Sequence, residues 1–339
     1  MSNPATHNAT TIDVAGHRVP RIGMGTWAVA GPFFAGDEPL GYAGVEDEAS
    51  IAALQAAYDA GVRFFDTADV YGAGHSEELV GRALKGRSDA VIATKLGLAF
   101  DPATKQVLGP MSDPAAVVPA IEASLRRLGR DSVPLVFFHL NSMPVADAEP
   151  YLDGLETARA RGLIERFGWS TDFPESARAG ARREGFVAVQ HCMNVFYSAP
   201  TMMGVVAEHG LVSVNRSPLA MGLLTGKYGA DTAMPDDDIR RNSYGWMDWF
   251  KDGKVAPEHL ETLGKVREIL TVGGRTLAQG ALSWLLAHSP HALPIPGARN
   301  AKQAEENAGA IAHGPLPESA MREIEALVPR VPDGEPRER

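Results

Sequence analysis

The chain predicts an α/β fold, a (β/α)8 TIM barrel with long loops at its carboxyl-end face. Three observations carry that expectation. Short apolar runs of strand length alternate with amphipathic segments of helix length from end to end, the mark of repeated β-α units. Eight such strands can be placed, the number a closed parallel barrel takes. At 339 residues and 45% hydrophobic, the chain can bury a large core, and no Pro/Gly/Ser linker or compositional break divides it, which favours one domain over two.

The strands are expected at residues 21–25, 63–66, 90–95, 135–139, 165–170, 187–190, 211–216 and 292–295. Helices are expected at 47–60, 76–85, 114–128, 151–161, 174–184 and 202–209. Most open on a capping residue, an early Pro or an acid, and several stop at Gly, as in AYDAGVRF, LRRLGRDS, RARGLI and AEHGLV. Three long connections, 28–44, 97–113 and 221–257, follow strands and are expected to wall a pocket at the carboxyl rim. The termini, 1–10 and 331–339, read as loose tails.

The formal net charge of −10 comes from scattered acids with no long basic block, so nucleic acid is not an expected partner. The single cysteine, Cys192, excludes an intrachain disulfide and a multi-cysteine metal cage, so no metal is expected and a reducing compartment fits. The opening MSNPATHNATTIDVAG lacks a charged start followed by an apolar core, and no stretch approaches the roughly 20 apolar residues of a membrane span. A cytoplasmic protein with no membrane partner is the expectation.

Four residues able to share one proton lie near the ends of successive strands: Asp66 and Tyr71 in FFDTADVYG, Lys95 in VIATK and His139 in LVFFH. In a parallel barrel such positions converge on one rim. Tyrosine is a weak acid near neutrality, and a neighbouring ammonium favours its phenolate form. Lys95 can supply that charge, Asp66 can hold Lys95 protonated, and His139 can orient a carbonyl oxygen. Such a set suits protonation of an oxygen that is becoming an alkoxide as hydride reaches a carbonyl, and the hydride must come from a cofactor. Singly, each residue has a plain structural explanation; the joint pattern is what is specific.

RFFDTADVYGAGHSEELVGRAL, VIATK, LVFFH, GLIERFGWS, VAVQHCMNVFY, SPLAMGLLTGKY and IPGARNAKQAEENAGA resemble, in order, the signatures of the aldo-keto reductases, over roughly residues 11–327. The resemblance implies a (β/α)8 barrel that binds NADP(H) in an extended pose without a Rossmann fold. It also implies Tyr71 as general acid/base, Asp66 and Lys95 as its tuning pair, and His139 as the donor to the carbonyl. The expected activity is NADPH-dependent reduction of an aldehyde or ketone, or the reverse oxidation. The family also includes channel-associated β-subunits that use the barrel as a partner module, so a non-catalytic NADP(H)-binding subunit or redox sensor stands as the alternative. A barrel isomerase or lyase using Lys95 as a Schiff-base amine would need a neutral lysine, which Asp66 opposes.

Residue by residue, the resemblance brings Gly25, Thr26, Trp27 and Asp66 to the cofactor, with Ser170, Thr171 and Gln190 at the nicotinamide carboxamide. Thr171 stands where relatives carry Asn, losing an amide donor. The pyrophosphate is expected along Ser217, Pro218, Leu219, Gly222, Leu223, Leu224 and Lys227, where a Gly-containing turn can present backbone amides. The adenosine end is expected at Gly297, Arg299, Gln303, Glu306 and Asn307, with Arg299 a seat for a 2′-phosphate, pointing to NADPH over NADH. Relatives commonly place an aromatic ring before SPL; this chain has Arg216. Its added positive charge is expected to disfavour bound NADP+ and lift the potential of the bound cofactor, unless an acid pairs with it.

Three other motifs fail on context. Gly23, Gly25 and Ala28 spell G-x-G-x-x-A but run into a loop-like segment. No tyrosine has a lysine four positions on, and Gly168 to Ser170 lacks the second glycine of a nucleophile elbow. Substrate walls are expected from Trp27, Tyr71 and His139 and from the aromatic residues Phe33, Phe34, Tyr244, Trp246, Trp249 and Phe250. Aromatic lining without a cationic cluster suits a neutral carbonyl or alcohol, sugar-like, aryl or alicyclic. The chain is expected as a monomer or homo-oligomer.

Overall fold

The computed structural model describes residues 10–330. The tails expected to be loose, 1–10 and 331–339, lie outside the described residues except for Thr10. Eight parallel strands pair in chain order: Met24–Gly25, Phe64–Asp66, Val91–Leu96, Val133–Phe138, Ile164–Ser170, Phe186–Cys192, Val212–Arg216 and Ala292–Pro294. The last returns to the first. The Gly23 amide donates to the Pro294 carbonyl at 2.9 Å, the Gly25 amide to Pro296 at 3.1 Å, and Gly25 bridges Gly297. A Cβ on Gly25 would stand 2.8 Å from the Ile295 carbonyl oxygen, so glycine is what permits this closure.

Apolar side chains of the strands fill the barrel interior, with Phe64, Val91, Leu135, Phe137, Val214 and Leu293 in one buried cluster. Val14 and Val19 join them from an antiparallel hairpin, Thr11–Val14 with His17–Pro20, which the sequence patterning did not reveal. Its two-residue turn, Ala15 and Gly16, has positive φ at both positions, the tight-turn geometry that suits strand twist. The outward faces of the strands pack against helices in two larger clusters.

Helices form at Asp47–Asp59, His75–Ala83, Val117–Leu128, Pro174–Gly180 and Pro200–His209, near the expected places. The fourth runs Val145–Ala160, straight through Pro150, earlier than a start beyond that breaker would give. The chain past the seventh strand adds Pro257–Leu270, Leu277–His288, Ala301–His313 and Glu318–Leu327. The connections after the first and third strands are not plain loops: they build a four-stranded sheet from Glu38–Pro39, Phe34–Ala35, Gln106–Pro110 and Leu98–Asp101.

One polar seam lies among the core residues. His191 Nε2 meets Ser213 Oγ at 2.7 Å, and that hydroxyl accepts from Asn215 Nδ2 at 2.8 Å. Burial pushes His191 down to about 4, so the folded protein keeps it neutral. The unfolded chain takes up a proton near pH 6.5 that the folded chain refuses, so stability falls as pH drops from about 6.5 to about 4. The full penalty is about 3 kcal/mol. His191→Gln is expected to flatten that stretch of a urea-midpoint-against-pH curve; an unaltered slope would show that other groups set it.

Candidate active site

Lys95, near the end of the third strand, is fully buried, and its Nζ donates to three oxygens: Asp66 Oδ2 at 2.7 Å, the Thr67 carbonyl at 2.7 Å and Tyr71 Oη at 3.2 Å. The other carboxylate oxygen of Asp66 accepts from Gln190 Nε2 at 2.7 Å. Burial opposes the charge on Lys95, but Asp66 and Tyr71 outweigh it and hold the ammonium above the ordinary lysine value. At Asp66 the balance reverses: burial pushes the carboxyl up against the pull of Lys95 and Gln190. The pair is best described as ionised, because both carboxylate oxygens accept short N–H contacts.

Tyr71 follows the second strand on a turn that places its ring edge-on to His139, centroids 5.9 Å apart, and 6.1 Å from a nearly parallel Trp27. His139 lies one residue past the fourth strand, its amide donating to Leu96 at 2.7 Å. The four residues expected to act together therefore share one rim. A buried acid that the sequence did not single out, Asp69, sits behind them, its amide donating to the Lys95 carbonyl at 3.1 Å. Burial, then Glu77, pushes its carboxyl well above the usual range.

From this cluster a cavity of about 290 Å³ runs across the rim. Gly25, Trp27, Asp66, Tyr71, Gln190 and Arg216 line one part; Ser217, Pro218, Leu219, Gly222 and Lys227 follow; Gly297, Arg299, Gln303, Glu306 and Asn307 complete it. Ser217, Ala220, Met221 and Gly222 all have positive φ (53°, 48°, 52° and 97°), three of them at non-glycine residues. Each such non-glycine position costs of order 1–3 kcal/mol, a concentration of strain that marks a built site.

At the far end the Arg299 amide donates to Gln303 Oε1 at 2.9 Å. Asn300, not Arg299, caps the helix Ala301–His313. The Arg299 guanidinium reaches the carbonyls of Ala43 and Gly44 through Nη2, which leaves Nε and Nη1 without a hydrogen bond among the described residues. The cavity's lining suits a dinucleotide in chemistry: proton-bearing groups at one end, a strained Gly-containing turn midway, and a guanidinium at a helix start.

Several expected residues fall elsewhere. Thr26, Ser170, Thr171, Leu223 and Leu224 are buried and do not line the cavity. The Thr171 hydroxyl donates to the Asn141 carbonyl at 2.6 Å and accepts the Phe173 amide at 3.1 Å. Trp249 and Phe250 are fully buried with Met234, Ile239, Met247 and Val255, because the connection after the seventh strand folds over its own apolar core. They are not substrate walls. Phe33, 6.5 Å from Tyr71, packs in a small buried cluster, and neither it nor Phe34 faces the cavity. Tyr244 stacks on Trp246, which lies 6.3 Å from Trp27 outside the cavity lining.

Conversely, the cavity is lined by Tyr42 and Arg240, neither of which the sequence singled out. Arg240 is buried, bound by both oxygens of Asp238 at 2.7 Å, with its guanidinium 5.0 Å from the Tyr42 ring. The G-x-G-x-x-A segment enters a short 3-10 turn at Trp27–Val29 instead of a dinucleotide-binding helix. Arg216 pairs with Asp172, so the expectation of an uncompensated cation beside the cofactor is corrected.

The aldo/keto reductase family model matches residues 21–329. The chain belongs to the aldo/keto reductase family. Among curated relatives of this reductase, yakc of Schizosaccharomyces pombe, an NADP(+) aldo-keto reductase by name, is 31% identical, covering 89% of this chain and 86% of its own. Aldo-keto reductase YhdN of Bacillus subtilis is 28% identical, covering 87% and 86%. Among solved structures, the glycerol dehydrogenase of Gluconobacter oxydans superposes with a TM-score of 0.78 at 27% identity, over 94% of each chain.

Proposed function

We propose that this reductase is a single-domain, cytoplasmic, NADPH-dependent carbonyl reductase, running reversibly as an alcohol dehydrogenase. The observation that carries the reading is the Lys95 ammonium bonded at once to Asp66 and to Tyr71 Oη at one end of the rim cavity. NADP(H), once bound, supplies or accepts the hydride. The chain's residues manage the proton. His139 and Tyr71 orient the carbonyl oxygen, Tyr71 Oη donates its proton as negative charge develops there, and Lys95 stabilises the phenolate left behind. Asp66 keeps Lys95 charged and Gln190 fixes Asp66, so the countercharge to the phenolate is in place before the proton moves. Trp27, parallel to Tyr71, provides an apolar wall suited to a neutral aldehyde or ketone.

Turnover should be visible as loss of reduced-nicotinamide absorbance with a panel of aldehydes and ketones. Absence of turnover with every carbonyl, alongside tight NADPH binding, would favour the non-catalytic subunit. The name of the yeast relative and the free nitrogens of Arg299 support NADPH over NADH. Arg299→Gln is expected to weaken NADPH binding by about 1.5–3 kcal/mol, roughly 10- to 100-fold, while leaving NADH binding little changed. Equal weakening of both in fluorescence titration would remove Arg299 from cofactor choice.

A further inference from the structure

Arg216 closes the seventh strand directly across from Cys192 on the sixth, and it lines the cavity together with Gln190 and Tyr71. Its Nη2 donates to Asp172 Oδ2, and the other oxygen of Asp172 accepts the Cys192 amide at 2.8 Å. The acid is anchored to the barrel rim and cannot swing away without breaking that bond. Arg216 Nε, although buried, has no hydrogen-bond partner among the described residues. An unsatisfied buried donor in a cavity wall points to an acceptor on a ligand.

We infer that Asp172 is a positioning residue that sets the balance between oxidised and reduced cofactor, acting through Arg216. The inference rests on the nicotinamide reading above: a ring that exchanges hydride with a carbonyl held at Tyr71 must lie in the part of the cavity walled by Gln190 and Arg216. That ring is cationic when oxidised and neutral when reduced. A bare guanidinium beside it repels only the oxidised form. The Asp172 carboxylate cancels most of that field, so the site keeps the flat guanidinium and its free Nε–H for the ligand without penalising NADP+.

The test measures dissociation constants of the full-length protein for NADPH, by its fluorescence, and for NADP+, by displacement. Asp172→Asn is expected to raise the ratio Kd(NADP+)/Kd(NADPH) about tenfold or more. Each tenfold corresponds to a rise of about 30 mV in the potential of the bound two-electron couple. Arg216→Gln, which leaves the carboxylate alone, should lower the ratio, and the double variant should return it towards the parent value. Equal weakening of both forms, with the ratio unchanged in Asp172→Asn or Arg216→Gln, would overturn the inference and assign the pair a structural role. Wild-type protein that binds neither form would overturn the cofactor reading itself, a result distinct from an unchanged ratio.

Discussion

Tyr71→Phe is expected to lower kcat/KM for carbonyl reduction by about 10²–10⁴-fold while leaving NADPH binding unchanged. The substitution removes one hydroxyl and keeps the ring that packs against Trp27 and His139. Lys95 loses its contact at 3.2 Å but keeps both acceptors at 2.7 Å, so the buried ammonium stays paired and the fold stays intact. What disappears is the proton at the atom facing the cavity. Steady-state kinetics with binding measured separately distinguishes the cases: a fall in rate at constant Kd assigns Tyr71 to chemistry, and a parallel loss of binding assigns it to the cavity wall.

Lys95→Met should cost more in stability than any other single change near the site. It leaves the Asp66 carboxylate buried without its countercharge, and breaking a buried pair from one side costs about 3–5 kcal/mol. Gln190 remains as the only side-chain donor to that carboxylate among the described residues. The variant's deficit should also depend on pH. With Lys95 gone, the folded state binds the Asp66 proton more tightly than the unfolded chain does, so stability decreases as pH rises above the unfolded carboxyl value of about 4. Chemical unfolding at several pH values checks both points. Adding Asp66→Asn to Lys95→Met should recover most of the loss, because a neutral pair has no charge to desolvate; no recovery would mean that Lys95 stabilises by packing.

The strands are legible from sequence because each is buried on both faces and reads as an apolar run, with a polar residue where it meets the rim. Asp66, Lys95, Gln190 and Arg216 all stand out that way. Two features blur the register of this pattern. The first strand forms over Met24–Gly25 alone, paired with Phe65 and Asp66 on one side and closed onto residues 294–297 on the other. Pro150 disguises a helix that runs through it. The hairpin at residues 11–20 has only a two-residue Ala-Gly turn to announce it, weaker than Asn-Gly.

At the site, spacing along strands predicts which residues share the rim but not which side chains pair across it. Asp172 and Arg216 follow or end the fifth and seventh strands, with the sixth between them, so their ion pair spans a strand and leaves no local pattern. An acid just beyond one strand and an arginine closing another were its only trace. Trp249 and Phe250 mislead for the opposite reason: aromatic residues in a long connection resemble a pocket wall until that connection proves large enough to bury them itself.

The central claim is that a phenol, an ammonium and a nicotinamide meet at one end of the rim cavity. A crystal structure with bound NADP(H) tests it most directly. The claim predicts the nicotinamide ring in the part of the cavity lined by Tyr71, Gln190 and Arg216, with room for one carbonyl between ring and Tyr71 Oη, and the adenosine at Arg299 and Asn307. A cofactor bound in the reverse sense, with its nicotinamide at Arg299 and far from Tyr71, would contradict it.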